Sequence, residues 1–182
     1  MAKKKLTKSD LLKKASKIKL LLTDVDGVLT DTGVYYSADG ELLKRFSIRD
    51  GMGIERLRSV AGIETGIITR EDTKIVSSRA KKLKITELHL GVMDKTAVLD
   101  DIVVRKNLST SEIAFIGDDT NDLGIMERVG LSACPNDATK FAKEIADVIV
   151  ESNGGHGAVR DLCELIIEAR TTTETKKKKG KK

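Results

Sequence analysis

The sequence predicts an α/β fold in which helices cover both faces of a central parallel sheet, giving three layers. Short apolar runs alternate with longer amphipathic segments along almost the whole chain, and this alternation is typical of parallel β-α-β units. Acidic clusters follow two of the apolar runs, at residues 24–27 and 117–122. Because open parallel sheets bind ligands at the carboxyl ends of their strands, these clusters also predict where a site lies.

Each predicted strand is a short apolar run, and each predicted helix has an apolar face, a capping residue or both. The first strand contains the run Leu20, Leu21 and Leu22, Gly62 ends the second helix, and Asp94 caps the fourth. The strands are expected at 18–24, 63–69, 86–90, 113–116, 131–134 and 147–150, and the helices at 8–17, 49–61, 72–84, 95–106, 121–128, 137–144 and 158–169.

Residues 33–47 are expected to form a β-hairpin directly after the first strand. Two short runs flank the dipeptide Asp39-Gly40, which is a frequent two-residue hairpin turn. A hairpin at this position predicts either a flap over the site or an edge that is used for assembly.

The chain of 182 residues is long enough for one domain with a substantial core. Without an interior linker or repeat, residues 1–170 are expected to form a single domain. Residues 171–182 are a low-complexity basic run and are expected to be a disordered tail.

The net charge of +5 is unevenly distributed, since residues 1–19 carry +7 and residues 171–182 carry +5, which leaves −7 on the body of the chain. The body has no basic stripe interleaved with aromatic residues, so binding to nucleic acid is not expected. No apolar run approaches the length of a membrane span. Cys134 and Cys163 lack metal-site spacing, so they are expected to be reduced, buried thiols of a cytoplasmic protein.

The acidic clusters predict a site for a hard cation. Asp24 and Asp26 alternate along an extended segment, so their side chains share a side, and Asp118 follows another buried strand. Carboxylates without nearby His or Cys suit Mg²⁺ better than Zn²⁺. Thr69 ends the second strand and Lys95 follows the third, and both are groups that bind phosphate. The set indicates phosphoryl chemistry.

The ordered set DVDGV, Thr69, Lys95 and GDDTND resembles the haloacid dehalogenase superfamily of aspartyl phosphatases, which have a Rossmann-like fold. The resemblance implies that Asp24 is the nucleophile and that Asp26 is the general acid and base, with its backbone carbonyl on Mg²⁺. It also implies that Asp118 is a metal ligand and that Thr69 and Lys95 bind the transferring phosphoryl group. Asp119 or Asp122 would hold metal-bound water, and the sequence leaves open which matters more.

The same resemblance extends to one capless branch of the superfamily. The chain resembles phosphatases of eight- and nine-carbon 2-keto-3-deoxy sugar acids over residues 18–168. Two segments carry this resemblance, FSIRDGMGI at 46–54 and GGHGAVR at 154–160. The substrates of this branch are 3-deoxy-D-manno-octulosonate 8-phosphate and 2-keto-3-deoxynononate 9-phosphate, in lipopolysaccharide or sialic-acid-type sugar biosynthesis. Only about 25 residues separate Asp26 from the helix at Gly51, which is too few for a cap domain. The resemblance implies a homotetramer in which the hairpins pack together.

The segment after the second strand separates the two substrates. Arg70 stands where the octulosonate branch has Gly, whereas Glu71, Arg79 and Lys82 match residues that the nononate branch uses toward its substrate. Arg49 is a further candidate for the phosphate or carboxylate, and each of these basic side chains could equally be a solvated surface group. Two alternatives stay open: a phosphatase of another small phosphomonoester, and a non-catalytic assembly domain related to those of sialic-acid cytidylyltransferases.

Overall fold

The computed structural model describes residues 6–179, with side chains through residue 172, and it confirms the predicted α/β sandwich. The strands are β1 (Leu20–Thr23), β2 (Thr30–Ser37), β3 (Gly40–Phe46), β4 (Glu64–Ile68), β5 (Glu87–His89), β6 (Ile113–Ile116), β7 (Leu131–Cys134) and β8 (Val148–Ile149). The helices are α1 (Lys8–Ala15), α2 (Ile48–Ala61), α3 (Lys74–Leu83), α4 (Lys95–Lys106), α5 (Leu123–Arg128), α6 (Lys140–Ile145) and α7 (Ala158–Lys179).

Six of the strands form a parallel sheet in the order β5-β4-β1-β6-β7-β8. β1 lies between β4 and β6, with Thr23 opposite both Ile67 and Ile116. The segments that follow these three strands therefore leave the same edge of the sheet as neighbours. This register brings the residues after β1, β4 and β6 to one place.

Each face of the sheet has its own apolar core. Side chains alternate along a strand, so Leu21 joins one core with α1, α2, α3 and α7, while Leu20 and Leu22 join the other with α4, α5 and α6. The four residues of β1 are all buried, as expected for a central strand that is covered on both faces.

The predicted hairpin is present as a two-stranded antiparallel sheet formed by β2 and β3. It begins at Thr30, earlier than expected, and pairs outside the main sheet. Tyr35 lies opposite Leu43, while Val34 lies opposite Lys44 and Tyr36 opposite Glu41, with an irregularity between Tyr35 and Tyr36.

The two segments that carry the subfamily resemblance, 46–54 and 154–160, pack against each other. The buried Asp50 carboxylate accepts hydrogen bonds from the backbone N–H groups of Gly157 and Arg160, at 3.2 and 3.0 Å, and so caps α7 from α2. A Cβ on Gly53 would lie 2.8 Å from the Cα of Arg160, so the two helices approach closely only because this residue is glycine. These motif residues thus explain how the last helix docks.

Several element bounds differ from the sequence prediction; besides the hairpin, α6 begins at Lys140 rather than at residue 137. α5 begins at Leu123, because the preceding residues Thr120–Asp122 form a 3₁₀ turn capped by Asp119. α7 continues through residues 171–179, which were predicted to belong to a disordered tail. An existing helix extends without a new nucleation step, and Lys and Glu are good helix formers. The remaining tail residues, 180–182, lie outside the described residues.

Within the described part of the chain, no helix has the length and apolar character needed to cross a membrane.

Candidate active site

A cavity of about 380 Å³ opens at the carboxyl ends of β1, β4 and β6, under the hairpin. The sheet contributes residues from the segments after these three strands, and the hairpin contributes its inner face. The lining residues are Asp24, Asp26, Thr32, Val34, Tyr36, Glu41, Lys44, Thr69, Arg70, Glu71, Asp118, Asp119 and Asn121.

Lys95 lies at the floor of this site, between two carboxylates. Its ammonium nitrogen is 2.9 Å from Oδ1 of Asp24 and 2.6 Å from Oδ1 of Asp122. All three side chains are almost completely buried, and the ammonium also lies 5.7 Å from the centre of the Phe115 ring. The N-terminus of α4 is thereby tied to the ends of β1 and β6.

Three carboxylates converge at this point. Asp24, Asp118 and Asp122 can each offer an oxygen within 4.8 Å of the others. Burial and the charge of Asp122, opposed by Lys95, raise the pKa of Asp24 to about 7. Burial and the charges of Asp122, Asp24 and Asp119 raise the pKa of Asp118 to about 8. Burial is the larger cause of both pKa shifts because it disfavours the charged form of a carboxylate, and repulsion between the carboxylates adds to it.

The geometry of the cluster separates Asp118 from Asp122. Both oxygens of Asp122 are already engaged, since Oδ1 accepts from Lys95 and Oδ2 accepts from the backbone N–H of Asp118 at 2.9 Å. The Asp118 carboxylate has no hydrogen-bond partner among the described residues. Asp119 caps the 3₁₀ turn by accepting from the N–H of Thr120 and reaches the rim of the cavity. Among the described residues, Asp118 is thus the carboxylate of the three whose oxygens have no hydrogen-bond donor, since Asp24 accepts from Lys95 and from the backbone of Val25, while Asp122 orients its neighbours.

Gly27 explains why Asp118 can come so close to the loop after β1. Its φ of +80° lies in the left-handed region, and a Cβ at this position would lie 2.1 Å from Oδ2 of Asp118. Any side chain at residue 27 would therefore displace the Asp118 carboxylate. The glycine of the DVDG segment is required by this contact.

The cluster fits a hard divalent cation. Three carboxylates and one ammonium leave two negative charges when all are ionised, and oxygen ligands in small number are typical of Mg²⁺ sites.

Thr69, directly after β4, is buried and lines the cavity. Its hydroxyl accepts a hydrogen bond from the N–H of Glu71 at 3.2 Å.

The structure also places a hairpin residue that the sequence analysis missed. The Lys44 ammonium is 2.6 Å from Oδ1 of Asp26 and 3.6 Å from Oε2 of Glu41, and its side chain is 1% exposed. Burial lowers the pKa of Lys44, but the carboxylates of Asp26 and Glu41 outweigh this effect, so the pKa is raised. Asp26 is thus held by the hairpin. No spacing in the sequence signals this contact, because it depends on the irregular pairing of β2 and β3.

The structure places the four predicted substrate-binding residues at different locations. Glu71 lines the cavity. Arg79 lies behind the hairpin base, where its guanidinium donates to the carbonyl oxygen of Ser47 at 2.8 Å and lies over the Phe46 ring. Arg49 lines a separate groove with Arg45 and His156. Lys82, on α3, is exposed and does not line the cavity. Within one chain, only Glu71 of these four lies beside Asp24.

Comparison with known families matches residues 59–162 to the haloacid dehalogenase-like hydrolases. The 3-deoxy-D-manno-octulosonate 8-phosphate phosphatase of Escherichia coli strain K12 is 40% identical to this chain over 162 residues, which are 89% of this chain and 86% of the relative. The chain belongs to the haloacid dehalogenase-like hydrolases.

Solved structures of this family are similar in fold. The 3-deoxy-D-manno-octulosonate 8-phosphate phosphatase from Yersinia pestis has a TM-score of 0.86 and 38% identity, covering 91% of this chain and 89% of that one. The corresponding enzyme from Moraxella catarrhalis has a TM-score of 0.86 and 34% identity, covering 92% and 95%. That structure is a complex with a magnesium ion, a phosphate ion and a KDO molecule.

We predict that Mg²⁺ stabilises this haloacid dehalogenase-like chain more at pH 8 than at pH 5. A carboxyl whose folded pKa is raised favours the folded state below its unfolded pKa, and this contribution is lost as the pH rises through the folded value. For Asp24 and Asp118 that loss occurs up to about pH 7 and 8, and a bound cation would compensate it. Thermal unfolding with and without 5–10 mM Mg²⁺ (about the range for a millimolar site) checks this.

The control for this measurement is Asp101→Asn, which removes an exposed carboxylate of α4 outside the cavity. This variant should keep the pH-dependent increase in Tm, whereas Asp118→Asn should lose it. An increase that is equal at both pH values would contradict the assignment of these carboxylates to the cation.

Proposed function

We propose that this chain is a Mg²⁺-dependent phosphatase that hydrolyses a 2-keto-3-deoxy sugar acid phosphate through an aspartyl-phosphate. The observation that carries the proposal is the buried Asp24 carboxylate, 2.9 Å from Lys95 and beside Asp118, at the floor of a cavity large enough for a sugar. Relatives that cover most of the chain are octulosonate 8-phosphate phosphatases.

In the proposed reaction, an Asp24 oxygen attacks phosphorus in line with the sugar oxygen. The Asp24–phosphorus bond forms as the phosphorus–sugar oxygen bond breaks, and Asp26 donates a proton to the leaving oxygen. Water then attacks the aspartyl-phosphate while Asp26 accepts its proton, which releases phosphate and restores Asp24. The carboxylates of Asp24 and Asp118 and the backbone carbonyl of Asp26 would hold Mg²⁺, which would neutralise charge on the phosphoryl oxygens.

The surrounding residues position these groups. Lys95 neutralises charge at Asp24 and, with the Thr69 hydroxyl, binds the phosphoryl oxygens. Asp122 fixes Lys95 and the Asp118 backbone through hydrogen bonds of 2.6 and 2.9 Å, and Asp119, on the cavity lining, would hold water near a bound cation. Lys44 holds Oδ1 of the Asp26 carboxylate at 2.6 Å, and in this mechanism Oδ2 exchanges the proton with the leaving oxygen and then with water.

The substrate is an eight- or nine-carbon acid in this proposal. Its hydroxyl groups meet two acceptors on the cavity wall, Glu71 and Glu41. Oε1 of Glu41 is buried without a hydrogen-bond partner among the described residues, and such an acceptor is stabilised when a ligand donates to it. The presence of Glu71 favours the nine-carbon substrate, because the nononate branch has the same residue at this position. The named relatives, in contrast, are phosphatases of octulosonate 8-phosphate.

A direct test is phosphate release with Mg²⁺ from a panel of octulosonate 8-phosphate, nononate 9-phosphate, N-acetylneuraminate 9-phosphate and unrelated sugar phosphates. Preference for one sugar acid supports the proposal. Slow and uniform release would leave a phosphatase of another phosphomonoester, and no release from any of them would favour a non-catalytic assembly domain.

The proposed assembly is a homotetramer joined through the hairpins. The outer face of the hairpin exposes Tyr35 and Leu43, at 59% and 57%, and an isolated two-stranded sheet is marginal in water. Assembly through this face would also bring side chains of a neighbouring copy toward the cavity mouth, which is the route by which Arg49, Arg79 and Lys82 could reach a substrate.

We further propose that residues 1–170 act as one domain in the cytoplasm. Cys134 and Cys163 are free and buried, and burial raises the pKa of the Cys134 thiol to about 12, so neither is suited to disulfide exchange. Limited proteolysis tests the single domain, and cell fractionation tests the location.

We expect Asp24→Asn to reduce phosphate release by at least ~10⁴-fold, because an amide cannot replace the carboxylate nucleophile. The assay compares kcat of the variant and of the wild-type chain for the preferred sugar acid phosphate. Wild-type chain treated with EDTA should also be inactive, and added Mg²⁺ should restore its activity. Asp101→Asn, on the exposed face of α4, should remain active. Substantial turnover by Asp24→Asn would refute the nucleophile assignment.

Replacing Glu71 by arginine should shift preference toward the eight-carbon substrate by roughly 10-fold, because the acceptor for the longer chain's hydroxyls is lost. The ratio of kcat/KM for octulosonate 8-phosphate to nononate 9-phosphate measures the shift. Glu127→Arg makes the same charge change on α5, outside the cavity. If both variants keep the wild-type ratio, Glu71 does not select between the substrates.

The double variant Tyr35→Lys with Leu43→Lys should dissociate the tetramer, since two charges on the outer hairpin face oppose burial. Sedimentation velocity measures the assembly state. Val104→Lys places the same charge at an exposed apolar position of α4, away from the hairpin, and should leave the assembly intact. A monomeric wild-type chain, or a tetramer that survives the double variant, would contradict the proposed assembly.

A further inference from the structure

Asp118 is held through its backbone and not through its side chain. Its carboxylate belongs to the cation cluster, yet it accepts no hydrogen bond within the part of the chain that the structure describes. Its backbone N–H donates to Oδ2 of Asp122 at 2.9 Å. A carboxylate without a donor lies where its backbone directs it, so the groups that fix this peptide also fix the position of the carboxylate.

Thr139 anchors the other side of the same residue. Its backbone N–H donates to the carbonyl oxygen of Asp118 at 2.9 Å, and its hydroxyl donates to the same oxygen at 3.0 Å. Two donors from one residue therefore converge on one carbonyl group. The peptide groups on both sides of the Asp118 Cα are thus anchored, one by Asp122 and the other by Thr139.

The Thr139 hydroxyl does not have the role that is usual at its position. Thr139 is the N-cap residue of α6, and the side-chain oxygen of such a residue commonly accepts from a backbone N–H of the first helical turn. This side-chain capping bond is absent at Thr139. The hydroxyl instead donates to the carbonyl of Asp118, which lies 21 residues earlier in the chain. Helix capping therefore does not explain the orientation of this side chain.

The segment that carries Thr139 is also connected to the loop after β1. Oδ1 of Asp137 accepts from the N–H of Gly154 at 2.9 Å. Gly154 lies directly against the loop after β1, because a Cβ on this residue would lie 2.0 Å from the carbonyl oxygen of Gly27. Thr139 thus projects from a segment that has its own anchor, and its hydrogen bonds transmit that position to Asp118.

We propose that Thr139 is a positioning residue for the cation site and holds the Asp118 carboxylate in place for Mg²⁺. The inference rests on the proposed Mg²⁺-dependent function, and it names a residue outside both the carboxylate cluster and the cavity lining. Removing a partner that orients a metal ligand typically weakens metal binding or activity about 10- to 100-fold. The backbone N–H of Thr139 remains in every variant, so loss of the hydroxyl alone should give the lower end of this range.

The test measures the Kd of the whole chain for Mg²⁺ by calorimetry, without substrate. Thr139→Val removes the hydroxyl and keeps the shape of the side chain, so its Kd should be about 10-fold weaker than that of the wild-type chain. Thr139→Ser restores a hydroxyl and should recover most of the affinity. Thr139→Gly is a second variant without a hydroxyl, and glycine is tolerated at an N-cap, so it replaces the valine variant if that one does not fold.

Thr7→Val is the matched control. Thr7 is the N-cap residue of α1, and its hydroxyl accepts from the N–H of Asp10 at 3.1 Å, away from the cavity. This variant should lower the Tm through loss of a helix cap and keep the wild-type Kd for Mg²⁺.

Phosphate release gives a second readout. In Thr139→Val, the Mg²⁺ concentration for half-maximal activity should rise by the same factor as the Kd, while kcat at saturating Mg²⁺ should remain close to the wild-type value. A loss of folded protein would not be rescued by added Mg²⁺, so this pattern separates a positioning role from a structural one.

The outcomes distinguish this inference from the proposed function. A wild-type Kd in Thr139→Val, an equally weak Kd in Thr139→Ser, or a comparable loss in Thr7→Val would overturn the role of the Thr139 hydroxyl and leave the phosphatase proposal intact. A wild-type chain that binds no Mg²⁺ and releases no phosphate from any monoester would overturn the proposed function and this inference with it.

Discussion

The buried ammonium of Lys95 is the contact on which the site depends. It joins the first residue of α4 to the ends of β1 and β6, since Asp24 and Asp122 both lie within 2.9 Å of it. Removing this ammonium would leave buried carboxylates without a partner, which costs about 3–5 kcal/mol of stability. The same three residues therefore hold the carboxyl end of the sheet together and set the charge of the cavity floor.

This arrangement is incomplete without a further cation. One ammonium cannot balance three carboxylates, and burial together with this imbalance raises the pKa values of Asp24 and Asp118. The carboxylates can come this close because glycine stands where a side chain would clash with them. Gly27 faces Asp118, and Gly117 faces Asp122; a Cβ on Gly117 would lie 2.5 Å from the Cγ of Asp122. The backbone therefore imposes the close approach of the carboxylates, and a divalent cation would neutralise their remaining negative charge.

The parts of the fold that the sequence predicted are those governed by local pattern. Apolar runs predicted the six strands of the parallel sheet, and, as expected, Asp94 caps the start of α4 and Gly62 ends α2. The convergence of Asp24, Thr69, Lys95 and Asp118 was predictable because parallel strand ends share one edge. The contacts of Lys44 and Arg79 were not, because each is set by how the hairpin pairs and packs, and neither the irregular register nor the Phe46 contact has a local signal.

The hairpin links the chemistry of the site to the surroundings of the chain. Its inner face places Lys44 against Asp26 and lines the cavity with Glu41, while its outer face exposes Tyr35 and Leu43. Two strands alone are marginally stable in water, so a cover over the outer face would stabilise the hairpin that carries Lys44. If a second copy covers it, as we propose, assembly would fix the hairpin, the hairpin would fix Asp26, and the proton transfer that releases the sugar would depend on a contact between subunits.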